Sequence, residues 1–182
     1  GMGGSSLGIK AIYNFLFFKI KKKFIFKNNL NTKIYKDNKN IKNLNIVISK
    51  SGNTLETLTN VNLLLKKNDF NVFITQRNQS YLRELAAKMK AEIIDHNNFI
   101  GGRYSVLSEV GMLPTCLVGL HEKKFKQYNN LIKNKNFVNA IVKNVSNILF
   151  FIKQKKFNSV IINFDENSKD FFKWYQQLIS ES

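Results

Sequence analysis

Three short runs of β-branched and aromatic residues, Ile46-Val47-Ile48, Val72-Phe73-Ile74 and Ile93-Ile94, recur through the first half of the chain with helical patterns between them. Runs of this length and composition suit buried strands, because such side chains pack well on a pleated surface. Between the first two runs, Leu55, Leu58, Val61 and Leu65 share one helical face; between the second and third, Leu82, Leu85, Ala86 and Met89 share another. A helix that links two adjacent strands carries the chain back to its starting end, so the strands it joins run parallel. The alternation therefore predicts an α/β fold, a three-layer arrangement with a mainly parallel sheet flanked by helices.

The flanking segments extend this pattern. From Leu7 to Ile20, one helical stripe holds Leu7, Ala11, Phe15 and Phe18 and a second holds Ile9, Ile12, Leu16 and Ile20, which predicts a helix covered on more than one side. Ser5 and Ser6 are suitable caps at its start. Further on, Val138, Ile141, Val142, Val145, Leu149 and Ile152 mark a long helix, Val160-Ile161-Ile162 a strand, and Phe171, Trp174, Tyr175 and Leu178 a last helix. Pro114 is the sole proline, so no proline-rich linker divides the chain. The expected organisation is an α/β domain over residues 1–120, followed by a helical continuation and the start of a further α/β segment over 121–182. The polar stretch His121 to Asn136 is expected to be an exposed bend.

With 182 residues and 43% hydrophobic content, the chain is long enough to bury one substantial core. Its densest apolar stretch, Ala11 to Ile20, is interrupted by Lys19 and followed by Lys21, Lys22 and Lys23, so no membrane span is expected. The opening Gly1 to Gly8 lacks the parts of a secretory leader and is expected to be a loop cut from a longer chain; a cytoplasmic location follows as the expectation. Cys116 stands alone within an apolar stretch, which predicts a buried thiol and is compatible with a reducing compartment. His96 and His121 have no ligand cluster at metal spacing, and neither suggests a metal site. His121 opens the polar run His121-Glu122-Lys123-Lys124 and reads as a solvated helix-end residue. A net charge of +17 would attract any polyanion, but the lysines are scattered among asparagine, isoleucine and phenylalanine, which predicts solvated faces instead of a nucleic-acid surface.

Two segments place glycines and hydroxyls where anions bind. Gly1-Met2-Gly3-Gly4-Ser5-Ser6-Leu7-Gly8 lies at a helix entrance, where unpaired amides favour an anionic or polyhydroxyl ligand; a Gly-rich helix cap without ligand would look the same. Ser49-Lys50-Ser51-Gly52-Asn53-Thr54 follows the first strand directly and precedes the Leu55 helix. Ser49, Ser51 and Thr54 can donate to phosphate oxygens, Gly52 permits close backbone approach, and the segment lies at the carboxyl end of a strand, where open α/β sheets bind ligands. An ordinary Ser/Thr-capped helix is the alternative. The Walker pattern of nucleotide hydrolases is absent.

Ser-x-Ser-Gly-x-Thr after a buried strand is similar to the phosphosugar-binding motif of sugar isomerase (SIS) domains. Gly101-Gly102-Arg103-Tyr104-Ser105 resembles a signature of the glucose-6-phosphate isomerase family, and Gly3-Gly4-Ser5-Ser6-Leu7-Gly8 is similar to another. Trp174-Tyr175-Gln176-Gln177-Leu178-Ile179-Ser180-Glu181-Ser182 resembles the segment that carries that family's catalytic glutamate, whose pattern continues Glu-Ser-x-Gly-Lys. Read singly, Arg103 could be a surface guanidinium beside a glycine turn and Glu181 a solvated carboxylate; the four segments, in order, identify the chain as an internal fragment of a family member.

The resemblance implies an SIS-type domain incomplete at both ends. It also implies reversible aldose-ketose isomerisation of glucose 6-phosphate and fructose 6-phosphate through an enediol, without metal or cofactor, in glycolysis and gluconeogenesis. Glu181 would be the base, Arg103 would stabilise the enediol charge, Ser49, Lys50, Ser51 and Thr54 would bind the phosphate, and Gly4, Ser5 and Gly102 would line the sugar end. A ring-opening histidine contributed across a homodimer and a further lysine belong to the family's site and match no residue here, so the chain alone is expected to be inactive. The competing expectation is a noncatalytic SIS module that binds a sugar phosphate. Neither nucleic acid nor membrane is an expected partner.

Overall fold

The computed structural model describes residues 1–30, 42–66 and 68–182. Within them the chain forms two compact units, one comprising Gly1–Leu120 and Asp165–Ser182 and the other His121–Phe164. The sequence pattern groups 165–182 with the second segment; in the structure these residues join the first 120.

The first unit is built on three parallel strands, β1 (Leu44–Ile48), β2 (Phe70–Thr75) and β3 (Glu92–Asp95), in the order β1-β2-β3. They cover the three predicted runs. Helix α2 (Leu55–Leu64) connects β1 to β2, and α3 (Tyr81–Met89) connects β2 to β3. In register, Val47 pairs with Phe73 and Phe73 with Ile93; one step further, Ile48 pairs with Ile74 and Ile74 with Ile94. Because side chains alternate along a strand, the two rows point to opposite faces. Val47, Phe73 and Ile93 pack under α2 and α3 with Val61, Leu82 and Ala86. Ile48, Ile74 and Ile94 pack on the other face with Ile9 of α1 (Gly4–Phe15) and Val110 of α4 (Glu109–Leu117). The predicted three layers are thus present, both faces of the sheet being covered.

Several local expectations differ. Helix α1 stops at Phe15, and a 3-10 turn at Phe17–Lys19 replaces the continuation to Ile20. Its buried residues are Ser6, Gly8, Ile9 and Ala11, leaving Phe15 and Phe18 exposed. Glycine is buried there because Val106 sits where a Gly8 side chain would go. The serines do not cap the helix: Ser5 Oγ donates to the Met2 carbonyl at 2.6 Å and Ser6 Oγ to the Gly3 carbonyl at 3.2 Å. In α2 the buried face is Thr57 and Val61, with Leu58 and Leu65 at its margin, whereas Leu55 is 73% exposed. Cys116 is exposed, not buried, although it lies between Thr115 and Leu117 in the same apolar stretch.

After Gly101 the chain makes a 3-10 helix at Gly102–Leu107, and Ser108 then caps α4 by accepting from the Val110 amide. The last helix of this unit, α8 (Lys169–Ser180, numbered after those of the other unit), packs on α1, with Asn14 donating to Asp170. In the second unit, α5 (Glu122–Phe125), α6 (Asn129–Lys133) and α7 (Lys135–Lys153) are helical. Two short helices therefore occupy the expected bend, and His121 is exposed at the start of α5 as predicted. Val160-Ile161-Ile162 forms no strand. A β-run needs a ladder partner for its backbone groups, and among the described residues none pairs with it.

Candidate active site

The carboxyl end of β1 runs straight into the first candidate segment. The Ser49 amide donates to the Ile74 carbonyl at 3.1 Å and the Gln76 amide to the Lys50 carbonyl at 3.1 Å, so the sheet itself fixes where the loop begins. Gly52 then turns with φ +68°, and a side chain there would strike Ser80 Oγ at 2.2 Å and Thr75 Oγ1 at 2.9 Å. Only glycine supplies that turn without strain. Beyond it Thr54 begins α2, and its hydroxyl lies 2.9 Å from that of Ser49. Ser51 is exposed and its Oγ accepts from the Asn53 amide at 3.2 Å. The three expected hydroxyls thus cluster at one helix entrance, the position favoured for an anion. Lys50 is turned away from them: its ammonium donates to the Asn98 carbonyl at 2.9 Å.

A second cluster forms where α1 meets the Gly101-Gly102-Arg103 turn. The start of α1 approaches so closely that a side chain on Gly4 would lie 2.4 Å from the Arg103 nitrogen and from the Gly102 carbonyl carbon. At Gly102 the equivalent position faces open space. Ser5 closes a small ring with Met2, accepting from its amide at 3.1 Å while donating to its carbonyl. Gly1 abuts the Ile48 carbonyl, so the start of α1 touches both the strand that carries the hydroxyl loop and the arginine turn.

Helix α8 brings the remaining groups to this junction. The Trp174 indole donates to the Arg103 carbonyl at 2.8 Å, and the Arg103 guanidinium lies 3.6 Å from the Glu181 carboxylate. Arg103 is 28% exposed at its side chain and Glu181 51%, which leaves the carboxylate open to a ligand. The guanidinium also stacks on the Tyr104 ring, 4.9 Å from its centroid. A hydrogen bond with Ser182, and after it Arg103, holds the Tyr104 phenol below its ordinary pKa. Gln177 donates to Glu181 at 3.1 Å. Its other amide atom, Gln177 Oε1, and Arg103 Nε are buried without a partner among the described residues.

The structure thus assembles Gly4, Ser5, Gly102, Arg103 and Glu181 at one junction and Ser49, Ser51 and Thr54 at the neighbouring strand end. No group of three or more His, Cys, Asp or Glu residues suited to a metal occurs among the described residues.

The family model for phosphoglucose isomerase matches residues 1–182. The chain belongs to the phosphoglucose isomerase family. Glucose-6-phosphate isomerase of Methanocaldococcus jannaschii is 33% identical over 202 aligned positions, covering 100% of this chain and 49% of that protein. The enzyme of the same name from Campylobacter jejuni is 30% identical, covering 100% and 48%, and that of Acholeplasma laidlawii is 33% identical, covering 100% and 48%. The chain spans about half the length of these phosphoglucose isomerase relatives. A crystal structure of a hypothetical protein from Thermus thermophilus superposes with a TM-score of 0.61 at 24% identity, over 74% of this chain and 36% of that one, and shows the same fold.

Reading residues singly misses Gln177, although its position four before Glu181 places it on the same helical face. It also misses the pair His96 and Glu109, which flank the family's Gly-Gly-Arg segment and meet in space.

Proposed function

We propose that this chain supplies the phosphate-binding and proton-transfer residues of a cytoplasmic glucose-6-phosphate isomerase acting in glycolysis and gluconeogenesis. The observation that carries the reading is the Arg103 guanidinium set beside an accessible Glu181 carboxylate at a glycine-lined junction. Isomerising an aldose to a ketose moves one proton between adjacent carbons and places negative charge on the intervening enediol oxygens. Glu181 takes the proton from C2 and returns it at C1, acting first as base and then as acid. Arg103 stabilises the charge that develops between those steps, and a fixed cation favours the transition state over the neutral sugar. Ser49, Ser51 and Thr54 hold the phosphate at the start of α2, so that binding energy remote from C1 and C2 positions the reacting carbons. Gly4, Ser5 and Gly102 line the sugar end, and Lys50 supports the site through the Asn98 carbonyl. Ring opening is assigned to none of this chain's residues, neither His96 nor His121 included.

Arg103→Lys in the full-length protein tests the assignment. The flexible ammonium cannot reproduce the guanidinium fork, and kcat is expected to fall by about 100-fold or more, the scale for losing one transition-state donor. An effect confined to KM would place Arg103 on the phosphate instead. Sugar-phosphate binding without turnover in the unaltered full-length protein would favour a noncatalytic SIS module.

A further inference from the structure

We propose that His96 is a positioning residue that sets the Gly101-Gly102-Arg103 turn through the carbonyl of Ile100. This inference rests on the isomerase reading above for its kinetic consequence, but not for its geometry.

His96 follows β3 directly, and its backbone amide extends the sheet by donating to the Thr75 carbonyl at 2.9 Å. The ring is thereby carried inward, and its side chain is 2% exposed. One ring nitrogen, Nδ1, meets the carboxylate of Glu109 in the first turn of α4; the other, Nε2, lies 3.2 Å from the Ile100 carbonyl. A peptide carbonyl can only accept, so the ring nitrogen that serves Ile100 is Nε2 carrying its N–H. A buried imidazole with two partners has one orientation available to it. The ring therefore links the end of the sheet, the start of α4 and the last peptide before the two glycines.

That peptide needs an anchor. Between His96 and Gly101 the backbone closes a turn, with the Ile100 amide donating to the Asn97 carbonyl at 3.2 Å, while Phe99 is fully out in solvent. Among the described residues, Lys50, on the Asn98 carbonyl, and His96, on the Ile100 carbonyl, hold this loop to the rest of the unit. Immediately beyond, the Gly101 carbonyl accepts from the Tyr104 amide and the Arg103 carbonyl accepts from Trp174. A shift at Ile100 thus passes along two glycines to the guanidinium that faces Glu181. None of the three elements the ring joins contributes a group to the reacting carbons, so His96 acts through Arg103 and not on the sugar.

Two substitutions separate the ring's contacts. In His96→Gln the side-chain amide nitrogen reaches the place of Nε2 and keeps the donor to Ile100; in His96→Asn it reaches only the place of Nδ1 and loses that donor. In the full-length protein His96→Asn is expected to lower kcat by about 10- to 100-fold with KM within about threefold, the scale of an ångström-sized misplacement. His96→Gln is expected to recover most of that loss. A second readout needs no turnover: the Trp174 indole N–H reports the Arg103 carbonyl, and its resonance in tryptophan-labelled protein, assigned with Trp174→Phe, is expected to move in His96→Asn and stay in His96→Gln. An unmoved indole resonance in His96→Asn overturns the proposal. So does a loss equal in the two variants, or one explained by an unfolded fraction in thermal melts, either of which would make the pair merely structural. If the unaltered full-length protein shows no isomerase activity, the functional reading fails, and the indole resonances alone decide whether His96 positions the turn.

Discussion

Two glycines at the site differ in what surrounds them, and the difference separates packing from ligand contact. A methyl group on Gly4 would enter the Gly102-Arg103 peptide at 2.4 Å, backbone against backbone, where neither side can rotate away. On Gly102 it would meet nothing within 4 Å. Gly4→Ala is therefore expected to displace the arginine turn, destabilising the protein by about 1–3 kcal/mol, as overpacking does, with a large loss of activity. Gly102→Ala should fold with unchanged melting temperature and, on the proposed assignment of that open space to the sugar, raise KM; a fall in melting temperature as large as that of Gly4→Ala would contradict this. At the phosphate end, Ser51→Ala and Thr54→Ala are each expected to weaken sugar-phosphate binding by about 1.5–3 kcal/mol, the usual scale for hydrogen bonds to a charged group. Isothermal titration of both variants checks it, and unchanged affinity in both would move the phosphate elsewhere. The hydroxyl loop was legible because strand, hydroxyls, glycine and helix follow one another in the sequence. Lys50 was not, since its direction is set by a carbonyl at Asn98, far along the chain.

At the scale of elements, periodicity revealed the sheet strands and several of the helices, but not what covers them. The three sheet strands and α2, α3, α7 and α8 appear where the apolar spacing places them. Yet no residue of α7 is buried, and the Val160 run forms no strand although its composition matches β1. Composition describes what a segment could pair with; a ladder also requires a neighbour with open backbone groups. Cys116 shows the same limit within one helix, because an apolar neighbourhood in sequence does not say which side of α4 meets the sheet. Between elements, Asp95 at the end of β3 joins Arg77, 2.6 Å away, and Arg83 of α3. The hydrogen bond from Arg77, and after it Arg83, holds the Asp95 carboxyl below its ordinary pKa. A depressed folded-state value stabilises the fold above the unfolded carboxylate range, near pH 3.9, and that contribution is lost as pH falls through the folded value. Asp95→Asn is accordingly expected to flatten the acid limb of a melting-temperature profile below about pH 4 while leaving its shape near neutrality unchanged. An acid limb as steep as the parent's would show that the cluster contributes nothing; screening at this exposed site keeps the effect small.

Across the whole molecule, residues from opposite ends of the sequence converge on one junction: Gly4 near the start, Arg103 in the middle and Glu181 near the end. Their types and order were visible as family segments, but that the guanidinium faces the carboxylate depends on α8 lying against α1 and on Trp174 holding the Arg103 carbonyl. A pairing across such a separation leaves no local trace in composition or spacing. In the full-length protein, exchange of the C2 hydrogen of glucose 6-phosphate with solvent deuterium should be followed by proton NMR for the parent and for Glu181→Gln. The amide keeps the shape of the carboxylate but cannot accept the proton, so exchange is expected to fall by about 10,000-fold, the upper range for a general base, with sugar-phosphate affinity retained. Exchange at the parent rate in Glu181→Gln would contradict the account, because the proton would then be leaving C2 for some other group.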